Sequence, residues 1–257
     1  MKTVRSLIIK VILILISITL IGILIATTHS KNATSHTTSA DDGKEYLKTY
    51  IQIQKEGIQL TNKLGSDNNY AQIYIDAKTE EKIKGKIKTQ AIAVAANQFI
   101  NKKALVEYAQ SRGITCTEQE VNDYIRKIID YSKDADNFEE IQRLCKDADI
   151  TYEETYWSNR ETYKTDYIID KLYKLKRSEY MSAHNISSPS EDEEKEWQKT
   201  WEHEKETIVN SYKGNENYKA DKMFVKKVSD LYLSNKQENV SAINTLEKQY
   251  HKSLSYS

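Results

Sequence analysis

Apolar side chains recur at three- and four-residue steps along most of the chain, which is the spacing of one face of an α-helix. The first such stripe, Leu47, Ile51 and Ile58, predicts a helix over residues 44–64. The polar cluster at residues 65–69 contains Gly, Ser, Asp and Asn, which favour turns. We therefore expect this first helix to end before a turn.

A longer stripe predicts one continuous helix from about Glu80 to Arg112. Its apolar positions are Ile83, Ile87, Ile92, Val94, Ala95, Ala96, Phe99 and Val106. Gly113 follows directly, and glycine readily adopts the left-handed conformation that closes a helix.

Four polar segments carry the signature of a helix start, a Ser, Thr or Asn followed three positions later by Glu. They are residues 117–120, 137–140, 151–154 and 188–191. We expect the third of these helices to run to about Ala183. The fourth carries one stripe made of Trp197, Trp201, Ile208 and Tyr212.

Two more stripes, near residues 223–232 and 240–250, predict two further helices. The chain has only seven Gly and one Pro, too few for the many tight turns of a sheet-rich fold. Pattern and composition therefore agree on an all-α fold class.

An apolar run from Val11 to Ala26 follows the basic residues Lys2, Arg5 and Lys10. Counted from Leu7, the run has about 20 residues, enough to span the hydrocarbon core of a bilayer. Because the basic residues precede it, we expect a single-pass anchor with the N-terminus inside and the C-terminal part outside. A cleaved signal peptide, giving a secreted protein, is the alternative.

This pattern divides the chain into four parts. Residues 1–28 form the anchor or signal segment, and residues 29–43 form a Ser/Thr-rich linker without apolar period. A helical domain is expected over residues 44–183, with C-terminal helices over residues 184–257.

Charge and motifs exclude several classes of function. Lys+Arg and Asp+Glu each number 38, so a neutral chain gives no electrostatic case for nucleic acid binding. None of the five His belongs to a zinc-protease motif, and no phosphate-binding or nucleophile motif occurs. We therefore predict no catalytic residue, metal or cofactor. Cys116 and Cys145 could form a disulfide or remain two isolated thiols.

An ordered series of short motifs runs through residues 91–174. The series is Phe99-Ile100, Ala109, Gly113-Ile114, Thr117-Glu118-Gln119-Glu120-Val121, Phe138-Glu139-Glu140 and Ile150-Thr151-Tyr152-Glu153-Glu154. In order and spacing it resembles the N-terminal domain of the SurA/PrsA-type chaperones. Many members carry a parvulin prolyl-isomerase domain, but only about 45 residues follow Lys213, too few for such a domain. The resemblance is therefore to a relative without the isomerase, whose C-terminal helices would pack back on the first module.

The resemblance implies an extracytoplasmic, membrane-tethered, ATP-independent holdase that binds unfolded or extended exported polypeptides. One alternative is a helical scaffold or adaptor for a single membrane or envelope partner, and a less favoured one is a prolyl isomerase. The aromatic residues proposed to contact a client are Tyr156, Trp157, Tyr163, Tyr167, Trp197 and Trp201. Each could instead pack inside the core, where aromatic side chains bury large areas.

Overall fold

A computed structural model describes residues 40–65, 68–234 and 239–254. This part of the chain forms ten α-helices and no strands, which confirms the all-α prediction. The helices are α1 (Ala40–Leu64), α2 (Asn69–Lys82), α3 (Lys88–Ser111), α4 (Glu118–Ser132), α5 (Phe138–Asp147), α6 (Glu154–Trp157), α7 (Arg160–Ala183), α8 (Glu191–Tyr212), α9 (Glu216–Leu233) and α10 (Val240–Leu254).

The predicted anchor or signal segment, residues 1–28, lies outside the described residues, as do residues 29–39 of the predicted linker. The last four residues of that linker belong to α1, which begins at Ala40. None of the ten described helices has both the length and the apolar character needed to cross a bilayer.

Three clusters of buried side chains hold the helices together. The first joins α1, α2 and α3 to α9 and α10, and its centre is a stack of Phe224 on Tyr250 with ring centroids 4.2 Å apart. The second joins the first half of α1 to α4, α5 and α6. The third joins the end of α3 to α7 and α8. Helix α3 thus links the first and third clusters.

The prediction of one long helix from Glu80 to Arg112 is wrong, because the helix is interrupted between α2 and α3. Gly85 has a φ of +67°, a left-handed conformation that glycine adopts without strain. The break lets α2 fold back between α1 and α3. Gly85 was the sequence signal for it, since the apolar stripe continues through the break unchanged.

The helix predicted from Thr151 to Ala183 is also divided, into α6 and α7. Thr151 and Glu154 make the expected reciprocal capping bonds, at 2.6 and 3.2 Å. The chain then turns at Asn159, whose amide donates to buried Gln54 on α1 at 3.0 Å and to the Thr155 carbonyl at 2.7 Å. A contact with a distant helix therefore sets this break.

The other predicted starts fall where helices begin. Thr117 makes a complete capping box with Glu120, as predicted. The start predicted at residues 188–191 lies two residues too early, because Ser190 and Glu193 form the capping box of α8. Asn137 precedes α5 but makes no side-chain cap bond. These signals located the starts of the helices to within two residues, but neither Asn137 nor Ser188 supplies the expected cap bond.

The last helix caps the second one. The Glu247 carboxylate on α10 accepts the Tyr70 backbone amide at 2.7 Å and the Asn69 side-chain amide at 3.2 Å. The first amides of a helix lack partners within the helix and favour negative charge. Burial raises the pKa of Glu247, and these two hydrogen bonds oppose the rise.

Candidate functional site

Trp197 and Trp201 lie inside the third cluster, with exposed fractions of 0% and 1%. Their rings stack with centroids 6.1 Å apart, and the Tyr173 ring lies 5.5 Å from each. The two indoles therefore fasten α8 to α7. In this conformation they have the core-packing role, and neither is exposed to a client polypeptide.

The other four predicted client residues lie along α6 and α7. Tyr156 and Tyr163 are buried in the second cluster, with their rings stacked at 5.9 Å. Trp157 and Tyr167 are half-buried. Tyr167 lies 4.8 Å from the Tyr124 ring, measured between centroids. Four of the six aromatic residues are thus divided between two core clusters, Trp157 packs against the second cluster, and Tyr167 packs on Tyr124. The six do not form one shared surface.

The described structure has an open groove of about 440 Å³ between α3, α7 and α8. It is lined by Ala104, Glu107, Tyr108, Ser111, Lys176, Glu204, Thr207, Ile208, Ser211, Tyr212 and Asn215. Ile208 and Tyr212 are buried and give the groove an apolar floor, whereas Ser111, Thr207 and Ser211 are exposed. We call this feature the α3/α8 groove.

Charged side chains fix the walls of the α3/α8 groove. The Lys176 ammonium lies 3.4 Å from a Glu204 carboxylate oxygen and 5.7 Å from the centre of the Tyr108 ring. Burial on its own lowers the pKa of Lys176, but the charges and hydrogen bonds of Glu204 and Tyr108 together outweigh it, and the pKa is raised. Lys176 therefore stays charged and holds α7 against α8.

Glu107 closes one end of the α3/α8 groove. Its carboxylate accepts hydrogen bonds from the side-chain amides of Asn215, in the turn before α9, and Asn217, the latter at 2.8 Å. Tyr212 in the floor is held by its own hydrogen bond, since its phenol donates to Asp221 at 2.8 Å. The floor and this end are therefore built from fixed side chains.

The groove is lined by both apolar and polar side chains. Its lining combines aromatic and aliphatic surface with hydroxyl groups and carboxylates, a mixture typical of sites that take small or extended ligands. Among the described residues, no group of three or more His, Cys, Asp or Glu side chains is arranged to hold a metal. Cys116 and Cys145 are free thiols, the first half-buried and the second buried.

Sequence reasoning missed this groove because its residues come from three helices far apart in the chain. One local signal was available. Thr207 and Ser211, four residues apart, place small polar side chains beside the apolar stripe of Ile208 and Tyr212. Small residues at that spacing leave room next to a helix.

No protein-family model matches the chain, and neither a curated protein nor a solved structure matches it. The fold therefore defines an all-helical domain of ten helices in the described part of the chain, with no family assignment.

Proposed function

We propose that this protein is an extracytoplasmic, membrane-tethered chaperone-like protein that binds unfolded or extended exported polypeptides without ATP. The observation that carries the proposal is the α3/α8 groove, open to solvent and lined by both apolar and hydrogen-bonding side chains. The apolar run at Val11–Ala26 and the motif series resembling the SurA/PrsA-type chaperones give it further support.

The groove suits a short extended segment. The half-buried ring of Tyr108, beside the floor formed by Ile208 and Tyr212, offers apolar surface to a client side chain, and burying that side chain supplies the attraction. The Thr207 hydroxyl donates to the His203 carbonyl at 3.0 Å and can still accept from a client backbone amide, and the Ser211 hydroxyl can also bond to the client backbone. Every polypeptide segment carries these backbone groups. Because only a few residues fit and ordering them costs entropy, the affinity is modest and release needs no energy source.

Charge adds a preference among clients. Two carboxylates, Glu107 and Glu204, line the groove with a single ammonium, Lys176. Client segments that place a Lys or Arg next to an apolar or aromatic residue should therefore bind best. A client segment with this basic residue should therefore bind more tightly than a segment that is only apolar.

The test is suppression of aggregation of a reduced model protein by the full chain in mild detergent, followed by light scattering. Thr207→Trp fills the groove from its exposed rim, and Asn210→Trp adds the same ring to an exposed position of α8 outside the groove lining. We expect wild type and Asn210→Trp to suppress aggregation and Thr207→Trp to lose most of the effect. Absence of suppression by wild type at several-fold excess would refute the proposal.

The breadth of binding separates the chaperone from the adaptor alternative. A chaperone should recover many exported proteins, all of them lost together in Thr207→Trp. Recovery of a single protein would assign the same groove to a scaffold or adaptor.

A further inference from the structure

The segment between α2 and α3 projects from the fold. A Cβ atom added to Gly85 at its tip would meet no atom within 4 Å, so the tip is surrounded by open space. Ile87, two residues on, has an exposed fraction of 64%, the highest among the exposed large apolar side chains of the described residues. We call residues 82–88 the lysine loop.

The lysine loop carries excess positive charge. Residues 78–88 contain five Lys and two Glu. Of the two glutamates, Glu80 is only 3% exposed. Its two carboxylate oxygens accept hydrogen bonds from the ammonium groups of Lys84 and Lys86, each at 2.6 Å. One buried carboxylate thus positions two lysines and neutralises only one of them.

The end of α9 extends the same surface. The Lys88 ammonium lies 4.9 Å from the centre of the Tyr232 ring, and the Tyr232 phenol donates to Glu81 at 2.7 Å. Leu233, the next residue, is a second exposed aliphatic side chain. The surface therefore combines two exposed aliphatic side chains with a cluster of ammonium groups.

This surface lies at the end of the fold where the N-terminal segment joins. Helices α1 and α2 run antiparallel, and Glu56 of α1 meets Lys78 of α2 at 3.9 Å. Ile83 of the loop packs on the same cluster as Tyr46, in the first turns of α1. The chain enters α1 at Ala40, after the apolar run Val11–Ala26.

We infer that the lysine loop, with Leu233 beside it, docks on anionic lipid headgroups of the membrane that the N-terminal segment enters. The ammonium groups match the negative headgroups, and Ile87 and Leu233 match the boundary between headgroups and acyl chains. The contact is weak by itself, but a short tether holds the loop at high effective concentration near the bilayer. The inference rests on the membrane attachment in the proposed function.

The test is hydrogen exchange of the full chain reconstituted in vesicles of phosphatidylcholine, with and without phosphatidylglycerol. Exchange of the 83–88 segment should slow several-fold only in the anionic vesicles, and high salt should remove the effect because exposed charges are screened. Lys82→Gln/Lys86→Gln should abolish the protection while Lys84 still neutralises buried Glu80. Lys213→Gln/Lys219→Gln removes the same charge near the start of α9 and should change nothing. At about 1.5 Å per residue, Lys219 lies roughly 20 Å from Tyr232 along the helix axis.

Equal exchange in the two lipid mixtures, with the chain still bound to the vesicles, would overturn the docking surface and leave the chaperone proposal standing. Slowing by inorganic phosphate without vesicles would also overturn it, since the loop would then bind free anions. Protection in anionic vesicles together with failure to suppress aggregation would support the docking surface and refute the chaperone proposal.

Discussion

The Tyr250 phenol donates a 2.6 Å hydrogen bond to the carboxylate of Asp221, which is completely buried between α9 and α10. The other carboxylate oxygen accepts from Tyr212 at 2.8 Å. Burial raises the pKa of Asp221, and the two phenol hydrogen bonds oppose that rise. The carboxylate thus depends on both phenols, and α10 is attached to the fold through one of them.

Tyr250→Phe should therefore destabilise the protein by about 1–3 kcal/mol, the cost of leaving a buried polar group without one of its partners. Urea unfolding followed by circular dichroism measures the change. Tyr131→Phe removes the same hydroxyl from an exposed position and should change stability by no more than about 0.5 kcal/mol. Equal losses in the two variants would show that the Asp221 contact does not matter.

Gly57 allows α1 and α2 to pack closely. A Cβ atom at this position would lie 2.5 Å from Cδ1 and 2.8 Å from Cγ1 of Ile75. Gly57→Ala should cost about 1–3 kcal/mol, the usual penalty for overpacking. Gly43→Ala, in the same helix but with nothing within 4 Å, should stabilise by about 0.5–1 kcal/mol through helix propensity.

The two alanine substitutions should thus change the free energy of unfolding in opposite directions, Gly57→Ala lowering it and Gly43→Ala raising it. Combining Gly57→Ala with Ile75→Val removes the nearer of the two clashing atoms and should recover part of the loss. Stabilisation by Gly57→Ala alone would show that the α1–α2 packing can relax without cost.

A small group of charges lies between α2, α3 and α7. The Lys102 ammonium contacts Asp166 at 2.8 Å. Burial raises the pKa of Asp76 to about 6, with Lys102 lowering it and Asp166 and Glu80 raising it further. Since the folded-state pKa exceeds the unfolded one, the stability from protonated Asp76 is present below pH 4 and is lost as pH rises through about 6.

Asp76→Asn keeps a neutral side chain at every pH. We expect it to match wild type near pH 4 and to exceed it at pH 7.5 by on the order of 1 kcal/mol, after discounting for partial exposure. Thermal unfolding of the two proteins across this range tests the difference. Asp123→Asn, at an exposed position of α4, should show no gap that grows with pH.

The burial of two indoles predicts how acrylamide quenches the tryptophan fluorescence with and without a client. Trp197 and Trp201 are shielded from solvent, so acrylamide should quench them weakly, and Trp157 should account for most of the quenching. Adding a client that occupies the α3/α8 groove should leave the two buried indoles unquenched. Increased quenching of these two indoles when a client is added would show that α7 and α8 separate and expose them.

The sequence located most helices because they have their own apolar stripes, and start signals added evidence for α4, α5, α6 and α8. Leu47, Ile51 and Ile58 are all buried as their spacing predicted, and α8 begins and ends beside its capping box and Gly214. Local physics is sufficient where a helix is specified by its own residues.

The breaks at Gly85 and Asn159 were missed for different reasons. The apolar residues before and after Gly85 continue at the same helical spacing. Only the glycine itself therefore marks the turn. At Asn159 the break depends on Gln54, 105 positions away. The fates of Trp197 and Trp201 were also open, since a stripe shows which side chains share a face but not what covers it.

The contact between Glu247 and the Tyr70 amide joins positions 177 residues apart. Ribosomes deliver the chain from its N-terminus, so the first turn of α2 exists long before its capping carboxylate. The helices α1 and α2 are therefore synthesised long before Glu247, whose carboxylate accepts the Tyr70 backbone amide. A nascent chain that stops before Glu247 lacks the carboxylate that accepts the Tyr70 amide, so this backbone hydrogen bond forms only after α10 has been synthesised.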